Sequence, residues 1–281
     1  MRKLFILALG ALVLLSACSG PNIQRIATGA SRTERVQVAA TSAATDLTLR
    51  FGMADEFKLS GGAQSLVDGS VQYNADELKP TVKSDGNRVI IDQSHNSLVT
   101  FPKDVHNEWD LRLSNETPLD LTVEAGAYNG SFDLGGLRLR GLNISQGAAD
   151  TSYDFSTPNA EPMQKLNFET GASTVVFNNL ANANAEQIAF AGGAGDYSLD
   201  FGGTLARSAD VQITGGAATY TIRVPAGTPA RITFKGGLNT IHAVGFTQQG
   251  KRYVNASWNE NQPHLDITVD LGMGTLNLES R

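Results

Sequence analysis

The chain is poor in the features that usually announce an activity. It has one cysteine in 281 residues, Cys18, so a single thiol is all that cysteine chemistry has to work with. None of the four histidines, His95, His106, His242 and His264, sits at the spacing of a metal motif such as H-E-x-x-H. No G-x-S-x-G, P-loop or dinucleotide fingerprint is present; Gly-Gly pairs abound but lie in alternating runs and do not open helices. Beyond the N-terminus no apolar run is long enough to span a bilayer. The formal charge is −6, the basic residues form no stripe, and an acidic chain argues against a nucleic-acid partner. Asn-Gly and Asp-Gly hairpin turns are scarce in the C-terminal half.

What is present is a repeat. Gly126, Gly147, Gly171, Gly193, Gly216, Gly237 and Gly272 anchor seven copies, separated by 21, 24, 22, 23, 21 and 35 residues by subtraction. A fixed period in this range signals a repeat architecture. Five residues before the glycines stand Leu121, Leu142, Leu166, Ile188, Val211, Ile232 and Ile267. Three before stand Val123, Ile144, Phe168, Phe190, Ile213, Phe234 and Val269, with small or polar residues between. Period two means a strand with one buried face. A second alternating run follows each glycine, as in Val175 and Phe177 or Tyr220 and Ile222, and alanine usually occupies the corner. Glycine permits the turn where a side chain would clash.

Two short strands per copy cannot bury their own apolar face, but stacked copies can. The expectation is an all-β, single-stranded β-solenoid with ~22-residue rungs, about 35 Å long at ~4.8 Å per rung. A sandwich of hairpins is the competing architecture. The 35-residue step predicts one long connection, residues 246–263, carrying Tyr253 and Trp258. That insertion is either a lid over the last rung or part of a binding face. Residues 180–187 fit a short helical excursion, as Ala-rich loops do, but are read as a loop between rungs.

The N-terminus reads as a targeting segment. Arg2 and Lys3 precede an apolar stretch from Leu4 to Leu15, too short to span. Leu15-Ser16-Ala17-Cys18 resembles the lipobox of bacterial lipoproteins. That resemblance implies cleavage before Cys18, diacylglycerol on its thiol and acylation of the new amine; a free or intermolecular thiol is the alternative. Several acyl chains bind a membrane far more firmly than one. Ser19 after the cysteine favours the outer membrane in a diderm host, and the outer face of the cytoplasmic membrane otherwise. Loss of Arg2 and Lys3 leaves 20 basic against 28 acidic residues, a charge of −8. Residues 1–17 are therefore assigned as signal peptide and 18–43 as lipidated cysteine plus Ser/Ala/Thr/Gly-rich tether. Val36 and Val38, two apart, equally fit a first strand.

Residues 44–118 look like irregular rungs ahead of the regular repeat at 119–281. Leu47, Leu49 and Phe51 alternate before Gly52, and Phe57 and Leu59 precede Gly62-Ala63 as in the repeat. Asp85-Gly86 predicts a hairpin. Trp109-Asp110-Leu111-Arg112-Leu113 and Pro118-Leu119-Asp120-Leu121, with Gly126-Ala127 and Gly147-Ala148, resemble the toast-rack family of bacterial envelope proteins. That family is related to the C-terminal domain of LiaF-like cell-wall-antibiotic response proteins. Leu59-Ser60-Gly61-Gly62-Ala63 and Leu78-Lys79-Pro80 look like it too, so the resemblance covers about residues 45–281. It implies a right-handed β-helix, supplies no catalytic residues, and through LiaF-like relatives implies a bearing on envelope stress. The chain lacks the membrane helices of LiaF itself.

Seven after each glycine stand Asp133, Asp154, Asn178, Asp200, Arg223, Val244 and Glu279, which stacking would align on one outer face. The candidate polar-face ladder is Asp133, Asp154, Asp200 and Arg223. It fits a solvated face that keeps the rod soluble, a Ca²⁺ site between Asp133 and Asp154, or the acids of a polysaccharide lyase or glycosidase. The first is preferred, because no carboxyl is isolated in an apolar setting as acid catalysis requires. The expected function is a non-enzymatic scaffold or binding protein of the envelope. It has no cofactor, no catalytic or metal residues and no nucleic acid, and its partner is an unidentified envelope protein or glycan. A carbohydrate-active enzyme and an envelope-stress accessory are the alternatives.

Overall fold

The computed structural model describes residues 24–41, 43–93, 99–100 and 103–281. The targeting segment, Cys18, Ser19 and His95 lie outside them. Among the described residues the chain forms, in order, β1 Gln24–Arg25, β2 Arg32–Val38, β3 Thr45–Ala63, β4 Val67–Tyr73, β5 Thr81–Asp85, β6 Arg88–Gln93, β7 Val99–Thr100, β8 Asn107–Ser114 and β9 Pro118–Asp133. There follow β10 Arg138–Asp154, β11 Met163–Asn178, β12 Ala185–Asp200, β13 Ala209–Val224, β14 Ala230–Val244, β15 Phe246–Gln249, β16 Arg252–Asn255 and β17 Leu265–Ser280. Helical structure in these residues is limited to two 3₁₀ turns, Asp76–Leu78 and Leu180–Ala183. The protein is thus nearly all β. Its main sheet is open, running from the β15–β16 hairpin at one end to β2 at the other.

The centre of that sheet is a parallel stack. β3, β9, β10, β11, β12, β13, β17 and β14 lie side by side in this spatial order. Register places like on like: Leu47, Leu121, Leu142, Leu166, Ile188, Val211, Ile267 and Ile232 form one column. None is more than 5% exposed. Each such side chain contributes roughly 1.5–3 kcal/mol through burial. Antiparallel hairpins across two sheets are excluded for these strands, because every neighbour in the stack is parallel.

The connections force the strands to bend. β9 ends at Asp133 and β10 starts at Arg138, beside the start of β9. Four residues reach at most about 14 Å. A straight strand of 16 residues like β9 would run roughly 50 Å. The strand must therefore turn back on itself. The ladder pairing is interrupted at the anchor glycines, which fall in one column. A Cβ on Gly147 would lie 2.8 Å from the carbonyl oxygen of Gly126, and one on Gly171 would lie 2.8 Å from that of Gly147. Only glycine lets adjacent backbones meet at hydrogen-bond spacing there.

Aromatic rings fill the space inside the bends. Phe57, Phe132, Tyr153 and Phe177 stack in succession with centroids 4.5–5.1 Å apart. Phe168 stacks on Phe190 at 4.9 Å, and Tyr197 sits 4.8 Å from Tyr220. Gly192 and Gly215 make room for this, since a Cβ on either would lie 2.5 Å from the Tyr220 hydroxyl. Buried asparagines tie the connections together. Asn159 Nδ2 donates to the carbonyls of Leu139 and Ala183, and its Oδ1 accepts from the Leu139 amide. Asn182 Nδ2 likewise donates to the Phe155 carbonyl. Each satisfies backbone groups that would otherwise be buried without a partner.

Several expectations change. The last repeat is not last in space: β17 inserts between β13 and β14, so Gly272 stands between Gly216 and Gly237. The long connection carries the β15–β16 hairpin, which pairs antiparallel with Arg231–Thr233 and buries Tyr253. It caps part of the terminal strand, as a lid would. Residues 180–187 hold a 3₁₀ turn flanked by Asn179 and Asn184, both left-handed. This works because Leu180, Ala181 and Ala183 bury their side chains. Within 18–43, residues 32–38 take the first-strand alternative: β2 pairs along its length with β4 and buries Val36.

Residues 44–118 are not simply irregular rungs. β3 is one 19-residue strand whose stack glycine is Gly52. Gly62, at φ +99°, lies where the β3–β8 register shifts. β8 pairs parallel with β3, and β4 and β2 continue outward in antiparallel pairings. β5 and β6 form the hairpin expected at Asp85-Gly86, with Gly86 at φ +58°.

Candidate functional site

Register sets the candidate ladder residues side by side in two runs. Asp133 stands beside Asp154, Asp154 beside Asn178, Asp200 beside Arg223, and Arg223 beside Glu279, with Val244 on the far side of Glu279. Each position is the last or next-to-last residue of a strand, where the chain must turn, and the aspartates serve the turns. Asp133 Oδ1 accepts from the Gly135 amide at 3.0 Å and from Ser156 Oγ at 2.6 Å. Asp200 Oδ1 accepts from the Gly202 amide at 2.7 Å. Asp154 Oδ1 accepts from Asn179 Nδ2 at 2.7 Å, the left-handed residue that starts the 3₁₀ turn. Aspartate suits these places because a short carboxylate reaches an amide two residues on. Arg223 donates from Nε to Glu279 and from Nη1 to Ser198 Oγ at 2.7 Å. Among the described residues no three His, Cys, Asp or Glu side chains converge to hold a metal.

The histidines stand apart. His106 lies between Asp55 and Glu108, 3.2 and 3.5 Å away. His242 is exposed on β14. His264 packs edge-on to Trp258, whose other contact is the Arg231 guanidinium 4.7 Å from the ring centre.

A shallow groove of about 680 Å³ runs across the alanines that follow the anchor glycines. Ala127, Ala148, Ala172 and Ala194 floor it, and Asp55, Asn129, Asp150 and Thr174 flank it. Behind it lies a buried polar network that sequence reasoning missed. The hydroxyls of Tyr128 and Tyr153 lie 3.0 Å apart, and both donate to Gln146 Oε1 at 2.6 and 2.8 Å. Gln146 Nε2 donates to Thr151 and Thr170 hydroxyls at 3.3 Å. Burial pushes both tyrosines well above their ordinary pKa. The signal was available: Gln146 and Thr170 occupy the position just before the glycine, which shares the inward parity of the apolar columns. A second network at the N-terminal end pairs the buried amides of Gln93 and Asn107 at 3.0 and 2.7 Å, with Trp109 Nε1 donating to Gln93.

Residues 27–164 match the sequence family described as the N-terminal domain of toast_rack, DUF2154. Residues 27–164 are a toast-rack N-terminal domain. That segment spans β2 to the start of β11, so it includes both the antiparallel end and the first regular rungs of the stack. No curated protein matches the chain. Among solved structures, a candidate cell adhesion protein from Clostridium sporogenes is similar over 90% of this chain and 100% of its own, with 19% identity and a TM-score of 0.50. At that identity the likeness concerns the fold alone. A candidate adhesin from Bacteroides fragilis and a candidate lipid binding protein from Parabacteroides distasonis each share 9% identity and cover 91% of this chain and all of their own. Their TM-scores of 0.37 and 0.30 are too low to bear on the argument. Among the described residues no helix is long and apolar enough to cross a membrane.

Proposed function

We propose that the toast-rack chain is a non-enzymatic binding protein of the bacterial surface. It is anchored through lipid on Cys18 and displays a rigid β-helix to an envelope partner. In this reading residues 1–17 are a signal peptide, a short tether follows, and the stack coils as a right-handed single-stranded helix with ~22-residue rungs. The observation that carries it is how the outward polar side chains are used. The ladder carboxylates of Asp133, Asp154 and Asp200 are engaged by turn amides, a hydroxyl and an asparagine. Reactive carboxylates need the opposite setting, one of them held neutral in an apolar pocket. The adhesion name borne by the Clostridium sporogenes structure fits this reading.

Two experiments test it. Cys18→Ser should move the protein from the membrane fraction to the soluble fraction and abolish incorporation of labelled palmitate; retention in membranes would remove the anchor. Cross-linking on intact cells, followed by identification of captured species, should return a discrete envelope protein or glycan. Turnover of a cell-wall or capsular polysaccharide by the purified chain, lost on Asp133→Asn, would replace binding with catalysis.

A further inference from the structure

The C-terminal end of the stack differs from the rest in charge. Residues 211–259 contain no aspartate or glutamate, although the chain has 28, and they carry Arg223, Arg231, Lys235, Lys251 and Arg252. Arg223 is paired with Glu279 and Arg231 with Asp266, both on β17. Lys235, Lys251 and Arg252 are exposed and have no ion-pair partner among the described residues. The fold gathers these three. Arg252 stands opposite Thr233 on β14, the Lys251 carbonyl accepts from the Phe234 amide at 2.9 Å, and Lys235 follows on β14 itself. This outer edge is therefore locally basic, with Asp270 of β17 beside Lys235 as its nearest acid in register, and the basic pole sits at one end of an open strand edge.

β14 pairs with β17 from Ala230 to Val244. On its other side β16 covers only Arg231–Thr233. Beyond the Phe234 amide, the outward edge to Val244 has no strand partner among the described residues. Thr240, His242, Ala243 and Val244 are exposed there. An unpaired edge is a template for another strand, and proteins usually blunt such edges with charge, proline or a covering element. Residues 236–244 contain no proline and no Asp, Glu, Lys or Arg. The strands at the opposite end are guarded: β2 carries Arg32, Glu34 and Arg35, and β5 follows Pro80 and carries Lys83 and Asp85.

We propose that the β14 edge binds an extended acidic peptide segment of a partner protein as an added strand. Its main chain pairs with residues 238–244 and its carboxylates face Lys235, Lys251 and Arg252. Main-chain hydrogen bonds supply affinity in this mode and flanking side chains supply selectivity. An anionic lipid surface could meet the cations but would leave the edge unpaired. A two-fold copy, running antiparallel, would set its own cations at the far end of the edge and leave these three without counter-charges. The inference rests on the reading of the chain as a binding protein and names the chemistry of its partner.

The test uses the full-length protein in detergent and two synthetic ten-residue probes. One has three glutamates followed by alternating threonine and valine; the other replaces the glutamates with lysines. The acidic probe should bind at least tenfold more tightly than its lysine twin. A triple Lys235→Glu, Lys251→Glu, Arg252→Glu variant, all at exposed sites, should reverse the preference while keeping the melting temperature. Hydrogen exchange should show new protection within 239–244 on binding. Equal binding of the two probes overturns the proposal, as does binding without protection at 239–244. So does concentration-dependent self-association that protects this edge, or binding to anionic vesicles that the acidic probe does not displace. Failure here with a discrete species still captured on intact cells removes the edge site and leaves the binding reading standing.

Discussion

The two ends of the stack meet the same problem, a terminal rung with an unpaired edge, and solve it to different degrees. At the N-terminal end β3 is covered twice, by β6 along Asp46–Phe51 and by β8 along Glu56–Ala63, and β8 is covered in turn by β4 and β2. Trp109 seals this end, 1% exposed, with its ring 5.5 and 5.8 Å from Phe51 and Phe57. At the C-terminal end one short hairpin covers three residues of β14, and Val244 and Met273 are 67% and 58% exposed. The difference teaches that burying the apolar interior and satisfying the strand edge are separate tasks. The first end completes both. The second completes only the first: Leu265, Ile267, Val269, Leu276 and Leu278 on β17 are fully buried, because β17 lies inside the stack and β14 takes the outer place.

That contrast can be broken by substitution. Trp109→Ala should cost about 3–5 kcal/mol, the usual range for a buried tryptophan, whereas Trp258→Ala at the half-buried C-terminal cluster should cost under ~1 kcal/mol. Urea unfolding of the two variants would show it, and equal losses would mean that the ends are equally sealed. Within the stack, Gly171→Val should cost at least ~2 kcal/mol, because the new side chain meets the backbone of Gly147. Gly52→Ala, at the first rung, has nothing within 4 Å of the added Cβ and should change stability by under ~0.5 kcal/mol. Melting temperatures that fall alike would remove the glycine column as the cause.

The smaller effects concern charge. Tyr128 and Tyr153 ionise less readily in the folded than in the unfolded chain. Their contribution is present in full below the unfolded pKa of ~10 and is lost as pH rises above it, by up to about 1.4 kcal/mol per unit for each. The urea midpoint should therefore drop between pH 9.5 and 11. Tyr153→Phe should flatten that drop; an unchanged slope would place the alkaline sensitivity elsewhere. Smallest of all, Asp133→Ala removes one turn acceptor and should cost roughly 0.5–1 kcal/mol. A loss no larger at Asp133 than at an exposed control such as Asp196→Ala would show that the ladder is only a solvated face.

Much of this was legible in the chain because the columns are local patterns repeated. Leu121, Leu142, Leu166, Ile188 and Val211 announce themselves by spacing, and the ladder of Asp133, Asp154 and Asp200 follows from the same count. The order of the last two rungs was not legible. Ile232 and Ile267 carry the same signature, so spacing reveals a detour of 35 residues without saying which strand ends outermost. Gly62 misled for a related reason: Phe57, Leu59 and Ala63 imitate a rung locally, while the deciding contact, Gly52 under Gly126, is 74 residues away in sequence. The basic pole escaped notice because the cations are few and scattered. The sign lies in the missing acids of residues 211–259, which only a count of absences detects. The roles of Asp133 and Asp154 as turn acceptors needed the positions of Gly135, Ser156 and Asn179, which no periodicity supplies.

The central claim is that rungs stack in register with β17 between β13 and β14. Asn277 Nδ2 donates to Thr221 Oγ1 at 3.3 Å, and His242 stands on the other side of Asn277. In a Cys18→Ser background, paired cysteines at Thr221 and Asn277 should therefore oxidise to a disulfide, since neighbouring strands bring Cα atoms within the ~4.4–6.8 Å that the bond needs. The pair at Thr221 and His242, two strands apart, should stay reduced. Ready oxidation of the second pair and none of the first would mean that the rungs follow chain order, and the stack described here would be wrong.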